Sequence, residues 1–336
     1  MKRIFGIIVG LALCIPCKPT ILQNTTFGGY AIGQFNGTDR KDADKKADMG
    51  LRMVRVYADS KLGDFAFKLQ VQLSGNTSTL ASPRIVDAWA EWQHWQELRV
   101  RVGQMKRCFT FENPMHPWLL GKGNYSQLAL KMAGFNDRTG EHTSNGRDFG
   151  LQLHGDLFRI FNDNHPLLHY QVGIYNGQGI NFGDKNTRKD FMGGLWLSPL
   201  KELQVGAFAW SGNYVNNEKQ TIDRERYSVG VNYDGNWSAR AEFAIDEANG
   251  KADAWYVLAG TPAWHRTKLF AYYDVYREGK SWETSKSIYG ASLQHTLYQN
   301  LMFQFNYAYN VEQNKEQDKA MIQRYNTFDL QIYWRF

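Results

Sequence analysis

Residues 64–74 read Asp-Phe-Ala-Phe-Lys-Leu-Gln-Val-Gln-Leu-Ser, an unbroken alternation of apolar and polar side chains. The apolar members stand at every second position: Phe65, Phe67, Leu69, Val71 and Leu73. That spacing would scatter them around a helix, whereas it places them on a single face of a β-strand. The stretch therefore predicts a strand with one apolar and one polar face.

The same alternation returns along the whole chain, for example at residues 225–234, 300–311 and 324–336. In total it predicts sixteen strands of about ten residues each. Ten residues tilted by about 45° rise roughly 23 Å, which matches the apolar band of an outer-membrane barrel, about 25 Å tall. The fold class we expect is all-β: a transmembrane antiparallel β-barrel of about 16 strands.

The connections between these strands support a barrel that crosses a membrane. Short connections mostly follow the even-numbered strands, and longer polar ones mostly follow the odd-numbered strands. Bacterial barrels have short turns on the periplasmic side and long loops outside. The longest connection, residues 107–145, is the third external one.

The N-terminal segment has the pattern of a secretory leader. Met1-Lys2-Arg3 supplies a basic start, and residues 4–16 form an apolar core too short to span a bilayer as a helix. We therefore expect a signal peptide at residues 1–20, with an uncertain cleavage point, and a single outer-membrane barrel domain at residues 21–336. The expected location is the bacterial outer membrane, with its lipid as a partner.

Composition and motifs argue against several other functions. The 336 residues include 39 Lys and Arg against 33 Asp and Glu, and this small excess is spread along the chain rather than gathered into a basic stripe, so no nucleic-acid partner is expected. The three cysteines include two in the leader, and no zinc-protease, serine-hydrolase or nucleotide-binding motif occurs. We expect no cofactor, no metal ion and no catalytic residues.

Three segments resemble a known family. Residues 87–112 (DAWAEWQHWQELRVRVGQMKRCFTFE), 146–157 (GRDFGLQLHGDL) and 170–181 (YQVGIYNGQGIN) are similar, in this order, to the phosphate-selective porins O and P. The family commonly has proline where this chain has Cys108. The resemblance implies a sixteen-stranded barrel, usually a homotrimer, with the third external loop in the pore and an anion or phosphate preference.

Charged residues on the polar strand faces and in the long connection are the candidates for the pore lining and the constriction. Arg and Lys on the lipid face would cost about 2 to 4 kcal/mol at the bilayer midplane, so these side chains should face water. The candidates are Lys68, Arg99, Arg101, Lys122, Lys131, Arg138, Arg147, Asp87 and Glu91.

The sequence thus predicts a water-filled channel for passive diffusion of small hydrophilic solutes, and a preference for anions is the second-ranked expectation. Two other classes remain open at this stage. An outer-membrane barrel enzyme would need a geometry that the sequence does not fix, and a soluble carbohydrate-binding β-protein would show similar strands. In a soluble β-protein, however, nothing would make the length of a loop depend on whether the preceding strand is odd- or even-numbered.

Overall fold

A computed structural model describes residues 24–75, 83–248, 250–279, 282–316 and 319–336. The predicted leader at residues 1–20 lies outside the described residues. Among the described residues, no helix is both long and apolar enough to cross a membrane.

Sixteen antiparallel strands form one closed barrel, as the sequence predicts, in which each strand pairs with its neighbours in the chain and β1 pairs with β16. The strands are β1 Thr25–Thr38, β2 Ala47–Leu62, β3 Phe65–Ser74, β4 Arg84–Trp92, β5 Arg99–Lys106, β6 Arg147–Leu157, β7 Leu168–Tyr175, β8 Asp190–Leu200, β9 Leu203–Val215, β10 Thr221–Asp234, β11 Ser238–Asp246, β12 Ala252–Gly260, β13 Thr267–Glu278, β14 Thr284–Tyr298, β15 Leu301–Glu316 and β16 Lys319–Arg335. Closure runs from the pair Tyr30 with Arg335 to the pair Thr38 with Thr327.

The alternation in sequence becomes an outer and an inner face. On β3, Phe67 and Leu69 are 41% and 47% exposed, whereas Gln70 and Gln72 between the outward residues are buried inside the barrel. The outward side chains meet hydrocarbon, and closure satisfies the backbone groups that an open sheet would leave unpaired in lipid.

The expected difference in connection length between the two sides is clear from β1 to β8, whereas the later connections are short on both sides. Two residues join β2 to β3, β8 to β9 and β14 to β15, whereas the connection between β5 and β6 has forty residues, 107–146. We call this connection L3, because it is the third on the long-loop side, which is the external side of bacterial barrels. L3 contains a 3-10 turn at Pro117–Leu119 and one helix, α1, at Gln127–Met132.

Candidate pore constriction and the charges of the lumen

L3 lies inside the barrel and packs against the inward face of the wall. The ring of Phe109 meets Trp210 of β9 edge-on at 5.6 Å, and Phe111 meets Phe208 at 5.1 Å. Leu128 of α1 is fully buried in the same cluster. Aromatic pairs in this geometry contribute about 0.5 to 1.5 kcal/mol beyond the area they bury. The inward-folded loop of the sequence analysis is thus present.

Two carboxylates of the wall hold the backbone of L3. Glu242 of β11 accepts hydrogen bonds from the N–H groups of Phe111 and Glu112, at 2.7 and 3.0 Å. Asp274 of β13 accepts from the N–H of Gln127 at the start of α1, at 3.0 Å. Backbone N–H groups bonded to carboxylates form charge-assisted hydrogen bonds, about twice as strong as neutral ones. These two side chains fix the first half of the loop to the wall.

Buried ion pairs hold the returning half of L3. Glu141 accepts from Arg107 at 2.9 Å and from Arg224 of β10 at 2.6 Å. Asp137 accepts two hydrogen bonds from Arg226 of β10, both at 2.7 Å. All five side chains are fully shielded from solvent. Removing one partner of such a pair costs about 3 to 5 kcal/mol, because a buried charge is left without compensation.

The two loop carboxylates in these pairs remain ionised. Burial alone would raise the pKa of Asp137 and of Glu141, but the neighbouring guanidinium groups outweigh it. Arg226 lowers the pKa of Asp137, and Arg107 with Arg224 lowers that of Glu141. The ion pairs therefore persist at neutral and mildly acidic pH.

The tip of L3 crosses the lumen to the opposite wall. His116 packs edge-on against Tyr30 of β1, with ring centroids 4.4 Å apart, and Trp118 packs against Tyr333 of β16 at 6.0 Å. Arg52 of β2 donates to the carbonyl of Gly123 and to the side-chain oxygen of Asn124. L3 thus touches the wall on both sides and narrows the lumen.

Two cavities flank the L3 tip. The one between L3 and the wall of strands β16 and β1 to β6, which we call the front cavity, has a volume of about 490 Å³. The other, between L3 and strands β10 to β15, has about 400 Å³. Basic residues outnumber acidic ones in the lining of the front cavity. They are Arg55, Lys68, Arg101, Lys106, Arg147 and Arg335, against Asp59 and Asp87.

Three of the six cations in the front cavity have carboxylate partners. Lys68 pairs with Asp59 at 2.8 Å, Arg101 with Glu91 at 2.6 Å, and Arg147 with Asp87 at 2.7 Å. These pairs are close to neutral as units.

The other three cations make no ion pair within the described part of the chain. Arg55 donates instead to Gln72 and Tyr30, Lys106 to two loop oxygens, and Arg335 to the carbonyl of Gln299. The front cavity therefore carries uncompensated positive charge.

A histidine of L3 lies among these cations. His116 lines the front cavity, and its pKa is lowered to about 4. Burial is the largest cause, and the positive charges of Arg55 and Arg335 are the next largest. The imidazole is therefore neutral at pH 7.

Most of the strand candidates from the sequence lie in this region. Lys68, Arg101, Arg147 and Asp87 line the front cavity, and Glu91 lies behind Arg101 and also accepts from a histidine. The structure thus brings together, in one cavity wall, residues that are up to 79 positions apart.

The remaining candidates lie elsewhere. Arg99 pairs with Asp156 near the periplasmic end of β5. Lys122 is buried in L3 beside Asp274, with 3.6 Å between the charged atoms. Lys131 lies on α1, its ammonium 5.8 Å from the ring centre of Tyr276.

Arg138 lies at the external rim of L3. It pairs with Asp246 at 3.1 Å and with Glu278 at 2.7 Å, and donates to two carbonyls of the loop after β11. Its contacts are those of an anchor for L3.

Sequence reasoning overlooked Arg55, although the signal was present. Met53, Arg55, Tyr57 and Asp59 alternate with small apolar residues on β2, so the same parity rule places Arg55 on the inner face.

Comparisons with known proteins agree with this architecture. The family model described as phosphate-selective porin O and P matches residues 28–282. None of the curated proteins matches the chain by sequence. Among solved structures, the anion-selective porin from Comamonas acidovorans has 14% identity and a TM-score of 0.68, covering 93% of this chain and 99% of that one.

Two further structures show the same fold. OmpT of Vibrio cholerae in its trimer form has 12% identity and a TM-score of 0.65, covering 93% of this chain and 99% of that one. OprB of Pseudomonas putida has 10% identity and a TM-score of 0.65, covering 94% of each chain. A family model that spans most of the barrel, on a closed sixteen-stranded wall with an inward loop, sets aside the enzyme and the soluble lectin. The chain belongs to the phosphate-selective porin O and P family and is a non-enzymatic porin of the bacterial outer membrane.

Proposed function

We propose that this porin admits small anions in preference to cations, and that L3 sets its narrowest passage. The observation that carries the proposal is a set of cations in the front cavity that have no carboxylate partner among the described residues: Arg55, Lys106 and Arg335. A cleft lined by one sign of charge raises the local concentration of the opposite ion.

The expected size of the effect follows from Coulomb's law. A unit charge about 10 Å from the path of an ion contributes about 0.4 kcal/mol in water, before screening by salt. That energy corresponds to about a twofold rise in local chloride and a twofold fall in local potassium for each charge, or about a fourfold change in their ratio, so the effect of two substitutions should be measurable.

The test is the zero-current potential of purified protein in a planar bilayer under a KCl gradient. The wild type should give a potential of the sign expected for chloride. The double variant Arg55→Gln with Lys106→Gln should move the potential toward that of potassium by up to about a sixteenfold change in permeability ratio before screening, less in high salt.

A matched control removes two cations outside the lumen. Arg188→Gln with Lys45→Gln changes exposed external residues, so it should leave the potential within error of the wild type. A wild-type potential of the potassium sign, or equal shifts in both double variants, would overturn the proposal.

We also propose that three copies associate. The OmpT of Vibrio cholerae that shares the fold is a trimer form, and the family resemblance implies a homotrimer. Single-channel records should then close in three equal steps, and light scattering in detergent should give three chains per particle. A single closing step with a one-chain mass would contradict this.

A further inference from the structure

The cations of the front cavity lie beside aromatic rings. The ammonium of Lys68 lies 4.9 Å from the ring centre of Tyr57, and the guanidinium of Arg101 lies 4.3 Å from that of Trp89. Tyr57 and Trp89 are half-buried and line the cavity, so part of each ring remains accessible. Both rings belong to inward positions of the wall, on β2 and β4.

The pairing of a cation with a ring recurs at the other end of the cavity. The guanidinium of Arg335 lies 4.0 Å from the ring centre of Trp118 in L3. Arg55 donates to the hydroxyl of Tyr30 at 3.1 Å, and Tyr30 in turn packs against His116. Four cations, on β2, β3, β5 and β16, are thus each next to an aromatic side chain.

This arrangement differs from what a compact inorganic anion requires. Such an anion is held by several donors that converge on one point. Here the cations come from four strands and are separated by rings, and the cavity of about 490 Å³ falls in the range typical of organic ligands. A flat ring can stack on a tryptophan or on a guanidinium plane while its carboxylate meets a cation.

We propose that the front cavity binds aromatic carboxylates, with the ring of the ligand against Trp89 and Tyr57 and its carboxylate toward Arg55 and Lys106. This inference rests on the proposed anion preference and names the substrate class that the lumen retains. Aromatic stacking contributes about 0.5 to 1.5 kcal/mol, which is about a two- to tenfold change in affinity.

The test compares benzoate with cyclohexanecarboxylate, which has the same charge and carbon number but no aromatic face. Each is added to protein in a planar bilayer, and the block of the chloride current is measured. Benzoate should block at a concentration about two- to tenfold lower. Equal blocking concentrations in the wild type would overturn the inference.

Variants test whether the difference between the two acids arises in the front cavity. Trp89→Leu should abolish the difference between the two acids. The matched control is Trp255→Leu. Trp255 lies two positions from the exposed Val257, on the outer face of β12, so this variant should retain the difference between the two acids. A difference that survives in Trp89→Leu would overturn the inference.

Folding of each variant is checked by heat-modifiable gel mobility. If Trp89→Leu does not fold, Tyr57→Leu provides the same test. Equal blocking by the two acids in a wild type that keeps its chloride preference defeats this inference alone, whereas a potassium preference in the wild type defeats the proposed function.

Discussion

Removing Arg226 should release the returning half of L3 while the barrel stays closed. This buried guanidinium donates to both carboxylate oxygens of Asp137 at 2.7 Å, to Asp246 at 2.8 Å and to the carbonyl of Met132 at 2.7 Å. In Arg226→Met, Asp246 keeps its bond to Arg138, but Asp137 loses its ion-pair partner. An orphaned buried charge costs about 3 to 5 kcal/mol.

The loop can avoid most of that cost by moving Asp137 into water. The backbone ladders of β10 with β9 and β11 do not involve the guanidinium, so the wall should remain intact. We expect a larger, noisier single-channel conductance and protease cleavage within residues 134–146, with unchanged heat-modifiable mobility.

Two controls isolate the ion pair. Asp137→Asn in the Arg226→Met background removes the orphaned charge and should bring conductance noise and cleavage back toward the wild type. Arg188→Met removes an exposed arginine whose contacts, at 3.4 Å, are worth about 0 to 1 kcal/mol. Identical conductance and cleavage in Arg226→Met and Arg188→Met would refute the anchoring argument.

Three further results are expected. Val229→Arg, on the lipid face, should destabilise the folded barrel by about 2 to 4 kcal/mol and reduce the folded fraction on gels. Asn232→Arg, in the lumen, should fold normally. Equal folded fractions for the two variants would contradict the assignment of faces. Because the pKa values of Asp137 and Glu141 are lowered, their stabilisation is present above the unfolded pKa values near 4 and is lost only as pH falls further. Protease cleavage within residues 134–146, the part of L3 that these carboxylates hold, should therefore stay constant from pH 7 to 5, and a stepwise rise there would argue against these anchors. Gly103 has a φ of +127°, and a Cβ there would overlap the backbone of β4, so Gly103→Ala should lower the folded yield, and a normal yield would contradict that strain.

The barrel could be predicted from sequence because one physical requirement acts on every strand. Lipid outside and water inside impose a period of two, and the segment 64–74 shows it as clearly as the final strand does. Loop lengths then give the orientation. The inward course of L3, however, came from the family resemblance rather than from any pattern in its residues.

The partners of the loop charges could not be predicted. Arg138 and Lys122 were candidates for the constriction because they are cations in the long connection, yet their partners Asp246 and Asp274 come from strands more than 100 residues away in the chain. Pairing at that separation depends on where the loop lies in three dimensions. The alternation of odd and even positions along a strand predicts only whether a residue faces the lipid or the lumen.

The most direct test of the account changes the charge at one lumen position in one protein. Lys106→Cys is made in a Cys108→Ser background and labelled with either a cationic or an anionic methanethiosulfonate reagent, and the zero-current potential is measured in a KCl gradient. The cationic label should restore chloride preference, and the anionic label should shift the potential toward potassium by about a fourfold change in permeability ratio relative to the unlabelled protein. Equal potentials for both labels and the unlabelled protein would contradict the claim that the cations beside L3 select the ion.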